Sequence, residues 1–194
     1  MFLDFASLDM IDLGRRITEQ ERYTNFLAGL LIEKGRVDIE NGVRAIVDIY
    51  WRKCEVCYPM LNVLRVAIEL SQSQTPGAEK PTFEDLVASL KSNADARQLV
   101  ECVEPLLRNC EAHCATSVRT EHSDVYVVTY GTRTPTAREI SKIPFKEVDD
   151  KTKCLKYALV PALYVTLALF EYAFQIITLT SYEFKLLLTT LSQY

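Results

Sequence analysis

Three residues near the middle of the chain, Arg108, Asn109 and His113, have types and a spacing that could serve catalysis. The chain has only two histidines, and one of them follows this arginine by five residues. On an ideal α-helix five residues turn the chain through about 500°, so the side chains of Arg108 and His113 would point about 140° apart. The pair could therefore act on one substrate only at a seam between elements, near an irregularity caused by Pro105, or across two copies of the chain.

The same stretch also has the pattern of an ordinary core helix. Side chains that could form one apolar stripe recur at helical spacing, at Leu99, Val103, Leu106, Cys110 and His113. On this interpretation His113 is a buried histidine that is hydrogen-bonded to a neighbour, and Arg108 is a surface arginine. The sequence leaves both interpretations open.

The string Arg108-Asn109-x-x-x-His113 resembles the signature of the HEPN superfamily, helical domains many of which are metal-independent endoribonucleases. The resemblance implies an α-helical bundle that commonly dimerises and acts on single-stranded RNA without a cofactor. It also implies that Arg108 holds the scissile phosphate, that His113 transfers the proton at the ribose 2′-hydroxyl, and that Asn109 orients one of them. Two features depart from the family. A long part of the chain, 114–194, follows the motif, and the tyrosine that some members carry two places after the histidine is Ala115 here.

Cysteine supplies a second arrangement that could do chemistry. The pairs Cys54-x-x-Cys57 and Cys110-x-x-x-Cys114 each lie on one helical face, so two neighbouring helices could bring four thiolates to a tetrahedral zinc ion. These pairs also sit within apolar stripes, where cysteine behaves as a small hydrophobe. A chain of 194 residues with many aliphatic side chains does not need disulfides, and we expect its six cysteines to be unpaired and mostly buried.

Composition restricts the class of protein. With 48% hydrophobic and 25% charged residues, the chain is expected to fold as one globular domain, residues 1–194. A net charge of −4 gives no overall attraction for RNA or for an anionic membrane, although a local basic cluster would suffice for RNA. The N-terminal residues mix acids with apolar side chains and lack the basic start of a secretory signal, so a reducing, cytoplasmic location is expected.

Helix start and stop signals divide the first two thirds of the chain. The first helix is expected to begin at Ser7 or Asp12 and to end at Gly35. After an exposed loop, Thr82 is expected to cap a short helix. A cap at Ser92 or Asn93 then starts the helix that carries the arginine and histidine.

Two further helices should be strongly apolar. One opens at Asp38 and keeps the helical period for about six turns, and Pro59 is expected to kink or break it near Cys54–Cys57. The other contains Tyr157–Phe170, a run without a charged side chain. Because spanning a bilayer takes about 20 such residues and this run is shorter, we predict a central core helix rather than a membrane span. Ser181 is expected to cap a separate last helix.

One segment favours a β-strand. Val125–Tyr130 is rich in β-branched and aromatic residues and is bounded by Asp124 and Gly131. Since a lone strand needs a partner, it should pair either with the segment around Ile140–Phe145 or with another chain.

The sequence therefore predicts a mainly α multi-helix bundle of five to seven helices, with at most a small β element near residues 124–145. Two functions fit it: a HEPN-like metal-independent endoribonuclease, and a non-catalytic α-helical protein-protein interaction protein. The expected partners are a second copy of the chain, RNA or another protein, with no membrane and no cofactor. Buried side chains are predicted at Val47, Tyr50, Leu61, Leu106, Leu163 and Leu167.

Overall fold

The structure is a computed structural model, and it describes residues 10–33, 39–75, 80–131 and 138–191. The predicted limits of the first helix at Ser7 and Gly35, and the predicted start of the second at Asp38, lie outside these residues. Asp12, the other predicted start of the first helix, lies in its first turn. Five helices come first: α1 (Met10–Glu33), α2 (Ile39–Ser71), α3 (Phe83–Ser92), α4 (Ala94–Arg97) and α5 (Pro105–Ala112). Three strands follow: β1 (Thr116–Glu121), β2 (Asp124–Tyr130) and β3 (Glu139–Pro144).

The chain then becomes helical again and stays so. α6 (Phe145–Cys154) continues through one π-helical turn (Leu155–Leu159) into α7 (Val160–Leu191). If this continuous segment is counted as one helix, the described residues contain six helices and one small antiparallel sheet. The predicted mainly α fold with a small β element is confirmed.

The helix α2 lies at the centre of the packing. α1, α3, α5, α6 and α7 all contact it, because its apolar side chains follow the helical period. The buried apolar members of this period are Val43, Val47, Ile49, Tyr50, Cys54, Val56, Cys57, Met60, Leu61 and Val66. The burial predicted for Val47, Tyr50 and Leu61 is confirmed.

The proline within α2 does not end the helix. Pro59 lies inside Ile39–Ser71, so of the two effects predicted near Cys54–Cys57, a kink or a break, the break is wrong. Proline in a helix interior costs about 3 kcal/mol through a lost hydrogen bond and a steric clash. Packing around it offsets this cost, because Cys57 and Met60 are fully buried and the Tyr58 hydroxyl donates a 2.6 Å hydrogen bond to the Pro81 carbonyl.

Caps divide the middle of the chain into short helices. Thr82 caps α3 as predicted, and Asn93 accepts two backbone hydrogen bonds at the start of α4. The expected continuous helix from there to the histidine is wrong, because α4 is a single turn and Pro105 starts the new helix α5. Proline suits the first helical position, where its missing N–H is not needed. With the helix restarted, Leu107 is buried and Leu106, predicted to be buried, is only partly so.

The sheet has the order β1-β2-β3, and both pairs are antiparallel. The predicted strand Val125–Tyr130 lies in β2, and its partner β3 comes from the expected local segment. Sequence reasoning missed β1, because Thr116–Glu121 offers a single aliphatic residue among polar ones. A two-residue turn at His122 and Ser123, both with positive φ, joins β1 to β2 in a tight hairpin.

The helix α7 is a core helix only at its start. Val160, Leu163 and Leu167 are buried, which confirms the prediction for the two leucines. From Ala168 to Tyr182, however, every side chain that the structure describes is exposed. The prediction of a central core helix is therefore wrong beyond Leu167, since the elements that cover the first two turns of α7 do not cover this part.

The expected cap at Ser181 is also wrong. α7 runs without interruption to Leu191, so no separate last helix begins there. Nothing forces a break at this serine, because α7 contains no glycine and no proline beyond Pro161.

Candidate functional site

Arg108 and Asn109 lie on α5 and hold each other in place. The Arg108 guanidinium donates a 2.8 Å hydrogen bond to Asn109 Oδ1 and another of 2.8 Å, from Nε, to Glu55 Oε1 on α2. Its second terminal nitrogen forms an ion pair with the same carboxylate. The guanidinium also lies 5.1 Å from the centre of the Phe83 ring, a cation–π distance. Arg108 thus joins α5 to α2 and α3.

The placement of His113 excludes one of its two sequence interpretations. It is the C-cap of α5, and its backbone N–H donates to the carbonyls of Asn109 and Cys110 at 3.2 and 3.3 Å. Its side chain is exposed, so the buried-histidine interpretation is wrong. Arg108 and Asn109 lie within α5, and His113 caps its C-terminal end. The structure joins Arg108 to Asn109 through their side chains, and His113 to Asn109 only through the backbone.

The charge on Arg108 is already balanced. Its side chain is 25% exposed and that of Glu55 is 35% exposed, so the pair is partly screened by solvent. A phosphate that approaches Arg108 would compete with a carboxylate that is already bound to it. The exposed His113 imidazole, in contrast, is accessible to a molecule that binds at this end of α5.

The four cysteines of the zinc hypothesis differ in their surroundings. Cys54, Cys57 and Cys110 are buried, whereas Cys114 is exposed and has a left-handed backbone with a φ of 52°. Burial raises the pKa of the Cys54 and Cys57 thiols well above the ordinary value, which disfavours the thiolate that binds zinc. Across the described residues, no three His, Cys, Asp or Glu side chains are grouped so that they could hold a metal ion.

All six cysteines are free, and four of them are buried, as predicted. Two of the six, Cys102 and Cys154, line one shallow groove of about 500 Å³ beside α6. Burial raises the pKa of Cys102 to about 12, and the nearby Cys154 thiol adds to the shift. The Cys102 thiol is therefore protonated at neutral pH, which makes it a poor nucleophile.

A charged cluster that sequence reasoning missed lies between α1, α2 and the π-helical turn. Lys53 is almost completely buried at 1% exposure, and its ammonium forms an ion pair with Glu21. Lys156 approaches the same carboxylate at 3.4 Å. Burial alone would raise the pKa of Glu21, but its hydrogen bond to Lys53 and the charges of both lysines outweigh burial and hold that pKa below its ordinary value.

The cluster borders a groove of about 570 Å³ between α1 and α7. Its walls are mostly apolar and include Tyr157 and Tyr164. The π-helical turn adds one residue to a helical turn at this point, which shifts the faces of α6 and α7 relative to each other. One signal could have revealed the cluster: Lys53 falls in the apolar stripe of α2, and a lysine there must find a counter-charge when it is buried.

Among the described residues, eight of the thirteen large apolar side chains that are exposed lie on α7. We call the surface that these eight form the α7 apolar surface, and its large exposed side chains are Val165, Leu169, Phe170, Tyr172, Ile176, Ile177, Leu179 and Tyr182. By length and composition alone, the helical segment Phe145–Tyr182 could cross a membrane. An 18-residue window in it has a mean hydropathy of 1.6, and 12% of that window is buried.

Comparisons with known proteins give no relative for this chain. No family model matches it, and neither a curated protein nor a solved structure matches it at a significant level. The resemblance of the Arg108 motif to the HEPN signature therefore gains no support from them.

Proposed function

We propose that this protein is an α-helical protein-protein interaction protein and that the α7 apolar surface is its binding surface. One observation carries the proposal: from Ala168 to Tyr182, every described side chain of a strongly apolar helix is exposed. Soluble monomers rarely expose contiguous apolar patches of more than a few hundred Å², and larger patches mark interaction sites. Covering this surface would contribute roughly 25 cal/mol for each Å² of apolar area removed from water.

A protein partner fits this surface better than a lipid bilayer does. Glu171 and Glu183 both lie on α7 and bound a short uncharged run between them. A membrane-spanning helix needs about 20 apolar residues, and a carboxylate at its centre costs several kcal/mol. Extending the segment backwards recruits Leu163 and Leu167, which are already buried in this protein's own core.

Two parallel assays on the full chain test the proposal. Tagged protein is used to capture bound protein, and flotation with neutral and anionic phospholipid vesicles measures lipid binding. The variant Ile177→Asp places a charge on the surface, and Thr120→Asp places the same charge on an exposed position of β1 as a control. Capture by wild type and Thr120→Asp, lost in Ile177→Asp and without flotation, supports the proposal. Flotation that Ile177→Asp abolishes, with no captured protein, contradicts it.

A second candidate function is the HEPN-like endoribonuclease. Its support is the exposure of His113 at the end of α5, on the helix where Asn109 orients the Arg108 guanidinium. In this proposal Arg108 stabilises the phosphate and His113 transfers a proton, and Arg108 must first release Glu55. The proposal keeps RNA as a partner, and its assignment rests on the sequence resemblance.

Cleavage of single-stranded RNA in the presence of a chelator tests the nuclease. The expected product is a 2′,3′-cyclic phosphate or its 3′-phosphate, because an attacking 2′-hydroxyl needs no metal-bound water. Arg108→Ala and His113→Ala should abolish cleavage, and Glu55→Gln should raise it by freeing the guanidinium. Inactive wild-type protein, measured with Glu55→Gln beside it, would contradict this function.

A further inference from the structure

We infer that the partner of α7 is a second copy of α7, packed antiparallel to it as a two-stranded coiled coil. The inference rests on the proposed function and names its partner. It is carried by the spacing of apolar residues along α7, by the burial of the first of them, and by the placement of two charges.

Apolar residues on one side of α7 alternate at intervals of three and four, which is the pattern of a coiled-coil seam. We call this set the α7 seam: Val160, Leu163, Leu167, Phe170, Phe174, Ile177, Ser181, Phe184, Leu188 and Leu191. All its members except Ser181 are apolar, and the set spans the whole helix. A repeat kept over more than three heptads predicts packing against another helix along its length.

The chain itself covers the beginning of the seam. Val160, Leu163 and Leu167 are buried against the core, where α7 packs on α2 and on the π-helical turn. The later members Phe170 and Ile177 are 47% and 64% exposed although they continue the same repeat. The part of α7 beyond Leu167, residues 168–191, is about 36 Å long. A second helix laid along it would continue the packing that α2 begins.

Charges on the flank of the seam select the antiparallel direction. With Val160 at position a of a heptad, Glu171 and Lys185 both occupy position e. In an antiparallel pair, e positions of the two helices face each other. The register that places position 170 beside 188, and 174 beside 184, also places Glu171 beside Lys185 of the partner subunit, twice by symmetry.

The parallel direction offers no such match. There, position e faces position g of the preceding heptad, so Glu171 would face Thr166 and Lys185 would face Thr180 of the partner subunit. The antiparallel register also places Ser181 opposite Ile177. Only the antiparallel pair joins unlike charges, and it does so without placing a charge in the seam.

Sedimentation equilibrium of the full chain tests the inference. Wild-type protein should approach twice the 22.1 kDa mass of one chain. Ile177→Asp lies near the middle of the seam and should weaken dimerisation by at least about a hundredfold, since it buries a charge in each of two copies. Gln175→Asp is the matched control: Gln175 is exposed two positions before Ile177, but it is polar and belongs neither to the α7 seam nor to the α7 apolar surface, so its dimer should persist.

A charge exchange tests the direction. Glu171→Lys should weaken the dimer by roughly tenfold, because two pairs of like charges then face each other, and the double variant Glu171→Lys with Lys185→Glu should restore it. Circular dichroism checks that each variant is folded. Rescue by the double variant supports the antiparallel pair.

Failure of the antiparallel pair and failure of the proposed binding surface give different results. A dimer that Ile177→Asp breaks but that the double variant does not rescue overturns the antiparallel pair and leaves the proposed binding surface standing. A monomeric mass at every concentration overturns the inference alone if α7-dependent capture of protein is retained. Equal loss in Ile177→Asp and Gln175→Asp, together with vesicle binding, overturns both the inference and the proposed function, because a bilayer contacts every face of a helix.

Discussion

The two longest helices, α2 with 33 residues and α7 with 32, differ in burial: α2 is largely covered by other elements and α7 is largely exposed. α2 has charged residues along its length and is nevertheless buried at eleven positions, because five other helices pack around it. α7 has fewer charges and a more continuous apolar sequence, yet most of its described side chains are exposed. The difference lies in the neighbours that the topology supplies to each helix, and not in their own hydrophobicity.

This contrast makes α7 the part of the molecule that a partner is expected to cover. A helix that is apolar on all sides normally lies inside a core, inside a membrane or against a partner. The chain's own core covers the first two turns of α7 and leaves the next four exposed. An apolar helix whose side chains the rest of the chain leaves uncovered indicates a surface that another molecule covers.

The largest expected effect lies in α2. Leu61 is completely buried, so Leu61→Ala should lower the free energy of unfolding by about 2–5 kcal/mol through lost transfer energy and the cavity left behind. Urea denaturation followed by circular dichroism measures it. An effect no larger than that of an ordinary surface substitution would show that α2 is not the centre of the packing.

The buried lysine of α2 should give the next largest effect. Glu21→Gln leaves Lys53 without its carboxylate and should cost roughly 2 kcal/mol, less than a fully buried pair would because Glu21 is 36% exposed. The pKa of Glu21 is lowered in the folded state, so its contribution is fully present above about pH 4.5 and is lost as the pH falls through the lowered pKa. Unfolding of wild type and variant between neutral and acid pH checks this, since a difference that grows in acid would contradict the assignment.

The bridge between α5 and α2 should contribute less. Arg108→Ala removes a partly exposed ion pair with Glu55 and a cation–π contact with Phe83, and it should cost about 1 kcal/mol. His113→Ala, at an exposed cap, should change the free energy of unfolding by less than about 0.5 kcal/mol. Thermal melting of both variants measures the difference, and a more destabilised His113 variant would contradict the placement of this residue.

The smallest effect is expected on the outer face of α7. Leu179→Ala should alter the free energy of unfolding by less than about 0.5 kcal/mol, because the side chain is 63% exposed and lies outside the α7 seam. Comparison with Leu61→Ala then measures, for the same leucine-to-alanine substitution, how much more a side chain on α2 contributes to the free energy of unfolding than one on α7. A loss as large as that expected for Leu61→Ala would place Leu179 in a packed interior and would contradict the exposure of this face.

Local signals in the sequence were enough for the fold class, the strand β2 and the cap at Thr82. These signals gave wrong predictions where one residue type is compatible with two different local structures. Pro105 can interrupt a helix or start one, and only the packing around Tyr50, whose hydroxyl accepts a hydrogen bond from the Glu104 N–H at 2.6 Å, decides that it starts α5. The pattern of α7 showed an apolar helix but not how far other elements would cover it.

The candidate site was less predictable than the fold. Spacing alone could not show that Arg108 is bound by Glu55, a residue 53 positions earlier in the chain. The Lys53 cluster likewise depends on α1 and on the π-helical turn, which are distant in sequence. Ion pairs of this kind arise from the tertiary arrangement, so no local sequence motif predicts them.

Hydrogen exchange of backbone amides, measured at several protein concentrations, tests whether α7 is left uncovered within one chain and is covered by a second copy. The amides of α2 should be protected at every concentration, because the chain itself covers them. Those of α7 beyond Ala168 should exchange rapidly in dilute protein and become protected as concentration rises and a second copy covers the helix. If both helices are protected equally at every concentration, α7 is already buried within one chain. That result would contradict both its exposure and its role in dimerisation.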